Sequence, residues 1–189
     1  MDDYITIRNN ILESVKQNGL KLRNISNEYD DDIEIQLAAI TENGLALLYA
    51  NRKIRINKNY VLIAVKNNGL ALEFASYELQ DDIDVVLEAV KNDGDALHYA
   101  SRKLQNNKEV VLEAVKQNGL SFDYASQELK NDRNFILKVI KQNGLALESI
   151  NQEFQNDREI VLEAVKQNGF ALYGVNKELQ KIIKESSEL

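Results

Sequence analysis

Few residues in this chain have the chemistry of a reaction centre. The single histidine, His98, stands between Leu97 and Tyr99, and none of the 189 residues is cysteine. A transition-metal site needs several imidazole or thiolate ligands, so one His without Cys does not make one. Thiol nucleophiles and disulfides are excluded on the same ground. Two acidic runs, YDDDIEI at 29–35 and QDDIDVV at 80–86, offer the oxygen donors that calcium takes. Neither has the turn glycine or the closing glutamate of a calcium loop. Carboxylates just ahead of an apolar helical run act instead as N-caps and as partners of the helix dipole. No GxGxxG or GK[ST] phosphate loop occurs. The recurring Asn-Gly ends helices, whereas an anion site opens one. No catalytic residue, metal ligand or cofactor is assigned, and the chain is expected not to be an enzyme.

The remaining polar chemistry lies in rows of charge. Lys16, Lys66, Lys91, Lys116, Lys141 and Lys166 each precede a glycine by three residues, with Thr41 as the exception. Glu13, Glu88, Glu113 and Glu163 lie three residues earlier, the spacing of ion pairs on a solvated helix face. A second row alternates in sign through Glu28, Lys53, Glu78, Lys103 and Glu128. It reads either as a salt-bridge ladder between neighbouring units or, with Arg52, Arg55 and Arg102, as basic islands for a carboxylate- or phosphate-bearing partner.

These rows exist because the chain repeats itself. VLEAVKQNGL at 111–120 returns as VLEAVKQNGF at 161–170. Glycines at 19, 44, 69, 94, 119, 144 and 169 recur every 25 residues, and only Gly174 stands outside the series. They define seven units without insertion or deletion: 6–30, 31–55, 56–80, 81–105, 106–130, 131–155 and 156–180. In the fifth unit, Val110, Val111, Leu112, Ala114 and Val115 form the apolar side of a first helix. Asn107 sits at its N-cap, where other units have Asp82, Asp132 and Asp157. Asn118-Gly119 is expected to close it with a left-handed glycine. A second segment follows, then Ser or Asn (Ser26, Asn51, Ser76, Ser101, Ser126, Asn151, Asn176) capping a short last turn. The chain contains no proline, in keeping with uninterrupted helices.

A unit this small cannot bury its apolar side alone, whereas stacked copies can. The fold expected is therefore all-α: an α-solenoid of seven tandem repeats in one domain spanning 1–189, each a longer helix plus a short helix and turn. Five residues after each glycine come Asn24, Tyr49, Phe74, Tyr99, Tyr124, Ser149 and Gly174. The next residue is Ala wherever the first is aromatic, and Ile or Val elsewhere. The pair is expected to trade volume in one core site.

The segment Asn156–Gly169, followed by the pattern of Ala71–Ser76 and Ala96–Ser101, resembles the helical repeat family called domain of unknown function 4116. The likeness covers residues 6–180. Leucine-rich variant repeats are also similar in alternating a longer with a short helix. The family resemblance implies a helical scaffold that recognises another macromolecule, occurs in bacterial proteins including secreted effectors, and brings no catalytic residues. The first unit departs from the pattern at Lys21, Arg23 and Asn24, as a capping repeat would.

In repeat scaffolds uniform positions stack and variable ones recognise. The variable positions of the second segment place Leu48, Arg52, Tyr77, His98 and Arg102 as the candidate recognition strip. The partner expected is a protein or peptide, an acidic one being among the options. A net charge of −7 speaks against nucleic acid and anionic membrane surfaces. No run of about 18 apolar residues is present to span a bilayer. The opening MDDYITIRNN lacks the basic and apolar parts of a secretion signal. A cytoplasmic location is expected, or delivery into a host cell as the resemblance implies. Two other functions stay open: self-association through the repeat ends, where only Ile182, Ile183 and Leu189 would cover the seventh unit, and inhibition or regulation of a partner enzyme.

Overall fold

From the second repeat onward, each long helix begins where a side chain closes its first turn. Asp157 Oδ1 accepts from the N–H groups of Glu159 and Ile160 at 3.0 and 3.3 Å. Asp32, Asn57, Asp82 and Asn107 do the same in their repeats, a cap worth about 1 kcal/mol each. The computed structural model describes residues 2–25, 27–178 and 180–181. We number the long helices by repeat: α1 Asp2–Gln17, α2 Ile33–Glu42, α3 Lys58–Asn67, α4 Ile83–Asn92, α5 Lys108–Gln117, α6 Arg133–Gln142 and α7 Arg158–Gln167. A six-residue 3₁₀ helix opens at the glycine of every repeat, as in Gly44–Tyr49. Short helices such as Arg52–Arg55 and Tyr77–Gln80 complete the repeats. The fold is an all-α solenoid of tandem helical repeats, with no strand among the described residues.

The long helices do not end on a left-handed glycine. Among the described residues none has positive φ, glycine included. The asparagine before the glycine breaks the helix instead. Asn43 is extended (φ −142°, ψ 111°), and its side chain accepts from Leu45 N–H at 3.0 Å, starting the 3₁₀ helix. The glycine serves close approach. A Cβ on Gly144 would lie 2.5 Å from the carbonyl oxygen of Ala164 in the next repeat. Gly19, Gly44 and Gly69 meet the carbonyls of Ala39, Ala64 and Ala89 in the same way.

That approach lets the N–H groups of Gly19, Gly44, Gly69 and Gly144 donate to the last residue of the following long helix. Gly44 N–H reaches Asn67 Oδ1 at 2.7 Å, Gly69 N–H reaches Asn92 Oδ1 at 2.7 Å, and Gly144 N–H reaches Gln167 Oε1 at 2.6 Å. Gly19 donates to Glu42. The amides also donate backwards: Asn67 Nδ2 to Thr41 O at 3.1 Å and Asn92 Nδ2 to Lys66 O at 2.9 Å. One amide thus satisfies a donor and an acceptor left over at helix ends. The junction after the fifth repeat differs, with Gly119 facing Asn143 and Ala146.

A cation at one fixed place in a repeat clamps the cap of the next long helix. Arg8 contacts Asp32 at 2.5 Å and Glu34 at 2.6 Å. Lys58 contacts Asp82 and Asp84 at 2.8 and 2.7 Å, Lys108 reaches Asp132 at 2.8 Å, and Arg133 holds Asp157 and Glu159 at 2.9 and 2.7 Å. Where the cation is replaced by Ile33 or Ile83, the following cap is the neutral Asn57 or Asn107. Along the sequence the cap's charge follows the residue 24 positions before it, as expected if a carboxylate set by an apolar side chain loses water without gaining a partner.

The core forms from the same positions in every repeat. Val110, Val111, Ala114 and Val115 are buried, as is the leucine or isoleucine of each short helix from Ile54 to Leu129. Leu112 is half-buried. The aromatic row is not core. Tyr49 is 40% exposed, and Phe74, Tyr99 and Tyr124 are half-buried. Their alanine neighbours, and Ile150 and Val175, fill the interior site instead. The rings cover the rim, where a tyrosine hydroxyl keeps its water.

The chain divides into two compact units, Met1–Ser101 and Arg102–Leu189. The first stacks the repeats of α1 to α4 up to the last short helix. The second stacks those of α5 to α7, where Phe122 and Phe135 pack with centroids 6.3 Å apart. Ser26, Ile182, Ile183 and Leu189, read above as cap and end cover, lie outside the described residues.

Candidate partner-binding site

The short helices carry the variable positions, and two of them in the first unit enclose a groove. Asn51 starts one by accepting from Ile54 N–H at 3.0 Å. The neighbouring repeat joins it through Ser76 N–H, which donates to Arg55 O at 3.0 Å. Between them lies a groove of about 450 Å³ whose walls include Arg52, Arg55, Ile56, Phe74, Tyr77 and Glu78. Tyr77 is 86% exposed, unusual for a ring with nothing packed over it.

Arg55 is the unusual residue here. Its place in other repeats belongs mostly to glutamine, which folds back to satisfy carbonyls at the end of its own 3₁₀ helix. Gln80 Nε2 donates to Leu72 O and Glu73 O at 3.1 Å each, and Gln155 and Gln180 bond their own repeats likewise. Lys130 reaches Asp123 O at 2.6 Å. Arg55 Nε is buried and has no hydrogen-bond partner among the described residues. A buried donor without an acceptor is costly, and an arginine fork matches a carboxylate or phosphate in two hydrogen bonds.

The groove mixes charges. Glu73 and Glu78 line it with the two arginines. Glu78 is held below the usual carboxylate range, first by its own backbone N–H, then by the Ser76 hydroxyl, with Arg52 adding its charge against some desolvation.

Of the strip read from the sequence, the structure brings Arg52 and Tyr77 into one groove. Leu48 is exposed outside its walls. His98 is exposed as well, with its ring edge-on to Tyr99 at 5.0 Å. Arg102 opens a short helix in the second unit. The burial of Arg55 Nε was not readable from sequence, although the break in its glutamine row was.

The acidic runs have structural partners. Asp32 and Asp82 cap helices and pair with Arg8 and Lys58. Asp31 takes Lys53 at 2.8 Å, so that lysine reaches a loop carboxylate at the start of its own repeat. Asp81 accepts from the Ser101 hydroxyl at 2.5 Å. On the long-helix face, Lys16, Lys91 and Lys116 pair with Glu13, Glu88 and Glu113 at 2.8, 3.1 and 3.3 Å. No helix among the described residues is long and apolar enough to cross a membrane.

No curated protein and no solved structure matches the chain. The family described as Domain of unknown function (DUF4116) matches at 8–55, 57–105, 82–130, 107–151 and 132–180. These overlapping spans fall in step with the 25-residue glycine series and cover nearly all of it. By its repeats and by this match, the chain belongs to the DUF4116 family.

Proposed function

We propose that the array is a non-enzymatic scaffold that binds an acidic segment of a protein or peptide along its short-helix side, at the groove between Arg52 and Tyr77. The observation that carries this reading is the buried Arg55 Nε without an acceptor. A carboxylate entering the groove supplies that acceptor, takes charge from Arg52, and lays its chain against Tyr77 and Ile56. Long-range attraction is modest because Glu73 and Glu78 share the walls, so selectivity rests on the desolvated arginine more than on steering.

Selection of displayed random peptides on the wild-type chain tests the reading. Enriched peptides are expected to carry Asp or Glu, to bind less tightly as salt rises, and to lose the double variant Arg52→Glu, Arg55→Gln. The variant Lys66→Glu, Lys116→Glu on the long-helix face is expected to bind normally. Peptides that ignore the groove variant, or that fail only with the lysine variant, would place recognition elsewhere.

A further inference from the structure

Every junction resolved inside the first unit, and the one between α6 and α7, uses the same parts. A repeat glycine faces a helical carbonyl 20 residues on, and its N–H meets an amide or carboxylate 23 residues on. The last repeat carries its half of this device with no counterpart among the described residues. A Cβ on Gly19, Gly44, Gly69, Gly119 or Gly144 would meet backbone or a side chain, whereas around Gly169 nothing lies within 4 Å of one among the described residues. Val165 and Leu172 are half-exposed there, although Val65, Val90, Leu72 and Leu97 are fully buried at the same places. Phe170 is 71% exposed and stacks on Tyr173 at 6.3 Å.

The first repeat carries the other half. Ser14 stands where Ala39, Ala64, Ala89 and Ala164 present their carbonyls, and Gln17 stands where Glu42, Asn67, Asn92 and Gln167 accept from glycine. Ile11 is half-exposed, while Val61, Val86, Val111, Ile136 and Val161 at its place are fully buried. Ile7 and Ile11 line an open groove of about 580 Å³ with Ser14 and Tyr29. These two exposed faces therefore have the chemistry of the two sides of one internal junction.

We propose that the face around Gly169 docks the first repeat of a second copy of this chain. The Ser14 carbonyl of the incoming copy lies over Gly169, as that of Ala164 lies over Gly144. Its Gln17 side chain accepts from Gly169 N–H and donates to the carbonyl of Lys166, as Asn92 does for Gly69 and Lys66. Ile7 and Ile11 cover Val165 and Leu172. The two faces differ, so the contact is head-to-tail and each added copy presents a fresh end. The proposal stands apart from the peptide groove.

Sedimentation velocity of the full chain across a concentration series tests it. Mass is expected to grow past a dimer of the 21.5 kDa chain. Gly169→Val fills the space a carbonyl must enter, and Ser14→Arg fills it from the other side. Each variant alone is expected to stay monomeric with wild-type helicity by circular dichroism. Mixed together, they retain one intact face each and are expected to stop at a dimer. Gln17→Ala, which removes only the bridging amide, is expected to weaken association about two- to tenfold; it serves as a milder variant should the others lose helicity. A wild-type chain that stays monomeric at every concentration overturns the proposal. So does a single-face variant that still associates, or a mixture that remains monomeric.

Discussion

The carbonyl oxygen of Ala64 occupies the space where a side chain on Gly44 would begin. Two repeats can therefore approach until one backbone touches another, and the N–H of Gly44 is near enough for Asn67 to accept from it. Gly44→Ala should force the repeats apart and cost about 1–3 kcal/mol. Gly169→Ala, with open space before it, should be neutral or stabilising by up to about 1 kcal/mol through the unfolded chain. Urea melts at low protein concentration compare the two. Equal effects would show that close approach is not what the glycine provides.

Acid should loosen the clamps in a defined range. Asp32 is held below its usual pKa of 3.8, first by the Arg8 hydrogen bond, and Asp157 likewise by Arg133. Asp132 is lowered by Lys108. A depressed folded pKa means the unfolded chain binds more protons at low pH. The stabilisation is therefore complete above about pH 5 and is lost as pH falls through the carboxylate range. The double variant Arg133→Ile, Asp157→Asn copies the solution used by Ile33 and Asn57. It should stay within about 1 kcal/mol of wild type at pH 7 and lose less stability between pH 5 and 2. A variant as acid-sensitive as wild type would show that these carboxylates do not govern acid unfolding.

Arg55→Gln should raise stability by up to about 1 kcal/mol while reducing capture of acidic peptides. Glutamine at this place reaches its own 3₁₀ carbonyls, as Gln80 does, and removes a buried donor without an acceptor. Thermal melts read the first effect and peptide binding the second. A less stable variant would mean that Arg55 has a structural role of its own.

Shortening the chain should respect the clamp. Removing 56–105 brings the repeat of Ile33 before that of Asn107, a matched pair. Removing 81–105 brings Lys58 before Asn107, which has no charge to offer. Both should fold with a smaller urea slope, and the matched array should be the more stable per repeat. A matched array no more stable per repeat than the mismatched one would show that the clamp does not couple neighbours, and collapse of both to disordered chains would refute modular stability.

Much of the fold was legible because one pattern is stated seven times. Spacing of glycine, Asp or Asn caps and apolar positions located every long helix from α2 onward. The role of the glycine was misread because Asn-Gly has two meanings: a left-handed stop, or a helix break at Asn followed by a backbone that needs room. Only the neighbouring repeat tells them apart, and the neighbour is a contact across some 20 residues. The aromatic row was misread for a related reason. Tyr49 and its neighbour Ala50 do vary together, but which of them faces inward depends on the 3₁₀ geometry. At the groove, Arg52 and Tyr77 stood out by composition, whereas Arg55 stood out only once its side chain was seen to lack the carbonyls that Gln80 finds.

The matching of each cap to the residue before it also bears on how such a chain can change over generations. A repeat copied singly into a new place meets a stranger: a carboxylate is set after an isoleucine repeat, or a neutral amide after a lysine repeat. A block that begins after an isoleucine repeat and ends with another carries its compatible neighbours along. Inheritance in such blocks conserves the pairing without any second mutation. The order of repeats in this chain is thus a kind of syntax, in which the first residue of one helix decides which unit is allowed to follow.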